Sequence, residues 1–178
     1  MFSDPHISIA TDQDIAIIKN LLNSTYRGDT SKQGWTTEAH LIAGETRTDE
    51  ANLHEMMSLP GSVFLIYTND RGLITGCVNL QQHGARIYLG MFSVSTLFQG
   101  TGIGKQILFA AEEYAKNKNC AAIFMSVISV RVELINWYQR QGYRDTGERK
   151  PFLEDGLTGK HLQPLEFMTL EKSLGTVI

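Results

Sequence analysis

The stretch Val94-Ser95-Thr96-Leu97-Phe98-Gln99-Gly100-Thr101-Gly102-Ile103-Gly104-Lys105 places three glycines at alternate positions ahead of an amphipathic run. Glycines let a backbone turn tightly and approach a ligand closely. The first N–H groups of a helix have no partners inside it, and the helix dipole adds partial positive charge there. Such a loop is an anion site, and phosphate is the usual anion. Lys105 adds a full charge. A second group that could do chemistry is Tyr138, four residues before Gly142-Tyr143. A phenol with a pKa near 10 is protonated at neutral pH and can give its proton to a leaving group.

Spacing decides which phosphate ligand fits the loop. A P-loop needs GxxxxGK[ST]. Here Gln99 stands at the first glycine's place, and Gln106 follows Lys105 where Ser or Thr would reach a magnesium ion. A dinucleotide fingerprint needs GxGxxG. Gly100 and Gly102 fit it, but its last position is Lys105. The spacing does resemble the acetyl-CoA motif of the Gcn5-related N-acetyltransferases (GNAT), [Q/R]-x-x-G-x-[G/A], filled by Gln99, Gly102 and Gly104. Val94 takes the usual strand-end valine, and Thr96 stands where many members have proline. The segment Arg131 to Tyr143 resembles the family's second motif, N-x-x-A-x-x-x-Y-x-x-x-G-[F/Y]. Tyr138, Gly142 and Tyr143 match its end. Arg131 replaces the usual Asn and Leu134 the usual Ala, so the Asn contact to pantetheine lacks its usual residue.

The resemblance covers roughly residues 60–145 well and implies several expectations. Gln99, Gly100, Thr101, Gly102, Ile103, Gly104 and Lys105 would hold the pyrophosphate of acetyl-CoA. Phe92 and Val94 would offer main-chain groups to the pantetheine arm, and one N–H there would polarise the thioester carbonyl. Tyr138 would protonate the leaving thiolate. No carboxylate lies in Ala85 to Val94, where the family often keeps a base. Glu38, in the early region that usually borders the acceptor, is therefore the candidate base or acceptor-binding group. Arg47 could meet an anionic acceptor, and Tyr67 and Tyr88 could line the cleft. The implied reaction is direct acetyl transfer to a primary amine, on a small molecule or a protein, with acetyl-CoA as co-substrate and no metal. A CoA-binding sensor without turnover stays open as the alternative.

The elements that must position these groups can be read along the chain. A strand over His6–Ala10 precedes a helix begun by the Thr11-x-x-Asp14 signal and ended near Arg27-Gly28. Residues 29–36 read as a loop. Thr36 or Thr37 could cap a second helix through Glu38, Leu41 and Ile42, and residues 52–59 read as a third. Strands follow over Val63–Tyr67, Leu73–Leu80 and Ala85–Val94. A long helix then leads to a strand over Ala121–Val127, a helix over Val130–Gln141, and strands over Tyr143–Phe152 and Leu165–Leu170. A strand–helix–strand crossing at residues 85–127 implies one parallel pair inside a mostly antiparallel sheet. The expected architecture is α/β: a GNAT-like domain over 1–178, with about six to seven strands and about four helices.

Composition narrows the classes. The chain has 178 residues, 42% of them hydrophobic and 20% charged, with a formal net charge of −3. A weakly acidic chain lacks the basic face of a general nucleic-acid binder. No apolar stretch reaches the ~18 residues of a membrane helix, and the N-terminus lacks signal-peptide character. These features point to a cytoplasmic protein and make the Asn23-Ser24-Thr25 sequon a chance match; the expected assembly is a monomer or homodimer. Cys77 and Cys120 read as small buried apolar residues. The five histidines form no metal pair, and no serine sits in GxSxG.

Overall fold

In a computed structural model, residues 1–175 are described. The chain runs through β1 (Ile7–Ile9), α1 (Ile15–Tyr26), α2 (Gly28–Ser31), β2 (Ile42–Ala43), α3 (Glu50–Ser58), β3 (Ser62–Thr68), β4 (Ile74–His83) and β5 (Arg86–Val94). It continues with α4 (Ile103–Asn117), β6 (Ala122–Ile128), α5 (Val132–Arg140), β7 (Arg144–Phe152), β8 (Lys160–His161) and β9 (Leu165–Ser173). Seven strands form one sheet in the order β1-β3-β4-β5-β6-β9-β7, and β2 pairs with β8 beside it. Among the described residues only β5 and β6 run parallel, joined across α4, as the crossing at residues 85–127 implies. Among the described residues, no helix is long and apolar enough to cross a membrane.

The continuous apolar run in β3 has a plain cause, because the strand feeds two cores. Phe64 and Ile66 pack with Ile15, Ile18 and Leu22 of α1 and Leu53 of α3. Leu65 points the other way and packs with Ile107 and Ala111 of α4. Period-2 alternation thus places helices on both faces of the sheet. α4 presents its apolar stripe at helical spacing, as predicted, with Ile103, Ile107, Ala110, Ala111 and Tyr114 all buried. Gly142 ends α5 with φ at +96°, a conformation that favours glycine, and the Tyr143 N–H then closes onto the Tyr138 carbonyl at 3.1 Å. Both cysteines are buried and free, and burial pushes the Cys77 thiol up.

One expectation fails. The region around Glu38 is not a helix. Residues 32–41 run through turns and irregular chain into β2, while the loop predicted at 29–36 begins with the one-turn α2. Side-chain bonding explains the difference. The Ser31 and Thr37 hydroxyls bond at 2.6 Å, the Ala39 N–H donates to Thr37 Oγ1 at 3.1 Å, and the Glu38 N–H donates to the Tyr26 carbonyl at 3.0 Å. Ser and Thr hydroxyls compete in this way with the helical ladder.

Candidate active site

The chain leading into the glycine loop is pinned by its own main-chain hydrogen bonds. The Ser95 N–H donates to the Thr75 carbonyl at 2.8 Å, and the Phe98 N–H to the Ser95 carbonyl at 2.9 Å. Gly100 and Gly102 then adopt φ of +80° and +92°, where a side chain would strain the backbone. Gly102 caps α4, whose first internal bond runs from the Gln106 N–H to the Gly102 carbonyl at 3.2 Å. The N–H groups of Gly102, Ile103, Gly104 and Lys105 precede that bond and have no helical partner. Ile103 contributes only its backbone here, since its side chain lies in the core. The Thr101 hydroxyl is turned to the Phe98 carbonyl, and Lys105 is exposed at the rim. Gln99 faces inward. Its amide oxygen accepts from the Trp35 N–H at 3.0 Å, and its amide nitrogen donates to Thr36 Oγ1 and the Val94 carbonyl, both at 3.0 Å. Gln99 therefore clamps the loop to residues 35–36, with its side chain committed inside the protein.

Between β5 and β6 the sheet opens. The parallel pairing covers only Arg86–Tyr88 against Ala122–Phe124, and the strands then part. On its other side β5 carries a bulge. Between the pairs Cys77–Ser93 and Asn79–Gly90 it holds one residue more than β4, and Met91 takes φ at +48°. Bulges of this kind re-aim main-chain groups beside functional sites. The Tyr26 hydroxyl donates to the Phe92 carbonyl and fixes the bulge to the end of α1.

Two cavities meet in the opening. The larger, about 390 Å³, runs along the glycine loop between Phe92, Val94, Phe98, Trp35 and Trp137. A Cβ at Gly104 would stand 3.6 Å from Phe92 Cζ and 3.7 Å from Trp137 Cζ2, filling part of the groove. An apolar groove that ends on unpaired N–H groups and a lysine fits an acyl-CoA, whose arm is long and whose pyrophosphate is anionic. The smaller cavity, about 110 Å³, lies between the parted strands, against Tyr88, Met91, Met125, Phe152 and Phe167. Tyr26, Phe92, Leu134 and Tyr138 line both cavities.

Tyr138 sits at the junction on α5, 5% exposed, among the rings of Phe92, Trp137 and Tyr143, whose centroids lie 6.3, 5.1 and 5.8 Å away. Burial holds its phenol well above the usual range, and the neighbouring Tyr26 adds to the effect. Burial likewise pushes the Tyr26 phenol up to about 12. Both phenols are therefore proton donors across the neutral range.

Glu38 lines the smaller cavity, but its carboxylate is committed. One oxygen accepts from Arg27 Nη1 at 2.6 Å and the other from Arg131 Nη1 at 3.0 Å. Arg131 Nη2 also donates to the Thr36 carbonyl at 2.7 Å. Arg27 and Arg131 are 2% and 8% exposed. The substitution of Arg for Asn at position 131 thus has a structural use, tying α5 to the early segment. Arg47 lines the same cavity, as does Tyr88, whereas Tyr67 packs in the core away from it. Sequence reasoning did not find Tyr26, Trp35, Trp137 or Leu134. Trp137 and Leu134 lie inside the second motif, and their spacing of three on a helix beside Tyr138 was the available signal.

Comparison with known proteins agrees with this geometry. The family model described as an acetyltransferase (GNAT) domain matches residues 29–163. N-acetylaspartate synthetase of Rattus norvegicus is 29% identical over 114 residues, 62% of this chain and 38% of that protein. Spermine/spermidine N(1)-acetyltransferase of Bacillus subtilis is 33% identical over 64 residues, 35% of this chain and 42% of that protein. These matches span about two fifths of each relative's length. Among solved structures, the ribosomal-protein-S18-alanine N-acetyltransferase of Escherichia coli superposes with a TM-score of 0.71 at 11% identity, over 97% of this chain and 95% of that one. The Salmonella typhimurium protein yncA, solved with its cofactor acetyl-CoA, gives 0.69 at 17% identity, over 99% and 97%. The loop, the parted strands and the family match together establish that this chain belongs to the GNAT acetyltransferase family.

Proposed function

We propose that the protein moves the acetyl group of acetyl-CoA to a primary amine by direct attack within a ternary complex. The observation that carries this reading is Tyr138, the one phenol on α5 that lines both the long groove and the cavity between the parted strands. The unpaired N–H groups of Gly102 to Lys105 hold the pyrophosphate, with Lys105 beside it. Trp35, Phe98 and Trp137 wall the arm. Phe92 and Val94, next to the bulge, present main-chain groups to the pantetheine and the thioester oxygen. A neutral amine in the smaller cavity attacks the carbonyl carbon. As the C–S bond breaks, Tyr138 gives its proton to the sulfur, and the proton lost by nitrogen passes out through water. We assign Glu38 the role of holding Arg27 and Arg131 rather than that of base, because each of its oxygens is bonded to one of those buried guanidinium groups. Relatives named for spermine/spermidine acetylation and for N-acetylaspartate synthesis support an amine acceptor.

Thiol release measured with acetyl-CoA and a panel of amines tests the proposal. We expect release only when a suitable amine is present, matched one for one by acetylated product. A burst of thiol equal to the enzyme concentration without amine would mean an acyl-enzyme instead. Binding of acetyl-CoA with no release across the panel would identify a CoA-binding module.

A further inference from the structure

The smaller cavity is lined by an uneven set of charges. Its charged lining is Glu38, Arg47 and Arg131, with Arg27 bonded behind Glu38. Three arginines thus stand around the cavity against a single carboxylate, each oxygen of which is bonded to Arg27 or Arg131. Arg131 is likewise committed to Glu38 and to the Thr36 carbonyl. The Arg47 guanidinium has no hydrogen bond or ion pair among the described residues. A half-buried arginine on a cavity wall, with its guanidinium unpaired, can receive an anionic group of a ligand.

Arg47 is also deliberately placed. Asn23 on α1 accepts from the Arg47 N–H at 2.6 Å and the Thr48 N–H at 3.0 Å, and donates to the Thr48 carbonyl at 3.1 Å. This three-bond clamp fixes the loop before α3 against the helix that also supplies Tyr26. Met91, Met125, Phe152 and Phe167 add apolar surface to the lining, which among the described residues contains no acid besides Glu38. A polyamine would bring further ammonium charges to a cavity whose arginines outnumber its one carboxylate, itself already paired with two of them.

We infer that the acceptor is a small amine carrying its own carboxylate, an amino acid, whose carboxylate is received by Arg47 while its amine lies toward Tyr138. Guanidinium–carboxylate pairs are frequently bidentate, which fixes orientation as well as affinity. The inference rests on the acetyl-transfer reading and narrows it to one acceptor class.

The test compares kcat/KM for matched pairs, phenylalanine with phenethylamine and alanine with ethylamine, alongside aspartate and spermidine. We expect the carboxylate-bearing member of a pair to be favoured by about 10–100-fold, the size of one charge-assisted pairing. Arg47→Gln should erase most of that preference, chiefly through KM of the amino acid, and Arg47→Lys should restore part of it. Equal or better turnover of the decarboxylated amines or spermidine would overturn the inference and leave acetyl transfer standing. A preference that survives Arg47→Gln would also overturn it. Absence of turnover with every amine would defeat the acetyl-transfer reading and this inference together. Should the variants fail to fold, the wild-type ratios still decide the acceptor class.

Discussion

Tyr138→Phe is expected to lower kcat by ~10²–10⁴-fold, the range of a general acid, with the KM for acetyl-CoA little changed. The reasoning is local. Phenylalanine keeps the ring and therefore its packing against Phe92, Trp137 and Tyr143. The lost hydroxyl has no protein hydrogen-bond partner among the described residues, so stability should hardly move. What disappears is a proton at the meeting point of the two cavities. The pH dependence follows from the same burial. The phenol is held well above its ordinary pKa, so it stays protonated as pH rises through 10. The rate should therefore show no falling limb from this group below about pH 10. Steady-state rates of the variant and a wild-type pH profile check both statements. An unchanged rate would move the acid to another phenol of the site, and Tyr26 or Tyr88 would be examined next.

Glu38→Ala should act on stability instead. Removing one partner of a buried ion pair costs about 3–5 kcal/mol, because the remaining charges lose their counter-ion. Here two guanidinium groups would be left, on Arg27 and Arg131, both nearly inaccessible to water. For a chain of this size each kcal/mol lowers Tm by roughly 2–4 °C, so a drop of roughly 10 °C is expected. Thermal unfolding of the variant measures it. If Glu38 were the base, the variant would in addition lose its rate by ~10²–10⁴-fold at temperatures where it is still folded. That pattern would reverse the role assigned to this residue.

The contrast between these two residues shows what the sequence could reveal. The glycine loop is legible because its chemistry is local: unpaired N–H groups, positive φ and the helix start lie within six residues. The sheet is legible because β3, β4 and β5 are bounded by turn residues and α4 carries a clear helical stripe. Glu38 is different. Its partners stand 11 and 93 positions away, and no spacing rule connects them. The hydroxyl bonds of Ser31 and Thr37 likewise drew residues 32–41 away from the helix expected after Thr36 or Thr37. Gln99 shows the mixed case. Its place in the motif is legible, but its side chain turns to Trp35 and Thr36, 64 and 63 positions away. The bulge at Met91 was also hidden, since a non-glycine residue with positive φ leaves no mark in composition.

Acetyl-CoA binding along the glycine loop is the claim on which everything else depends. The most direct test is thermal unfolding of the whole protein with acetyl-CoA, with ATP and NAD as controls. A ligand at 100 times its Kd stabilises the folded state by about 2.7 kcal/mol, which corresponds here to a rise of roughly 5–10 °C. That rise is expected with acetyl-CoA and not with the two nucleotides. No rise with acetyl-CoA, or an equal rise with ATP, would contradict it.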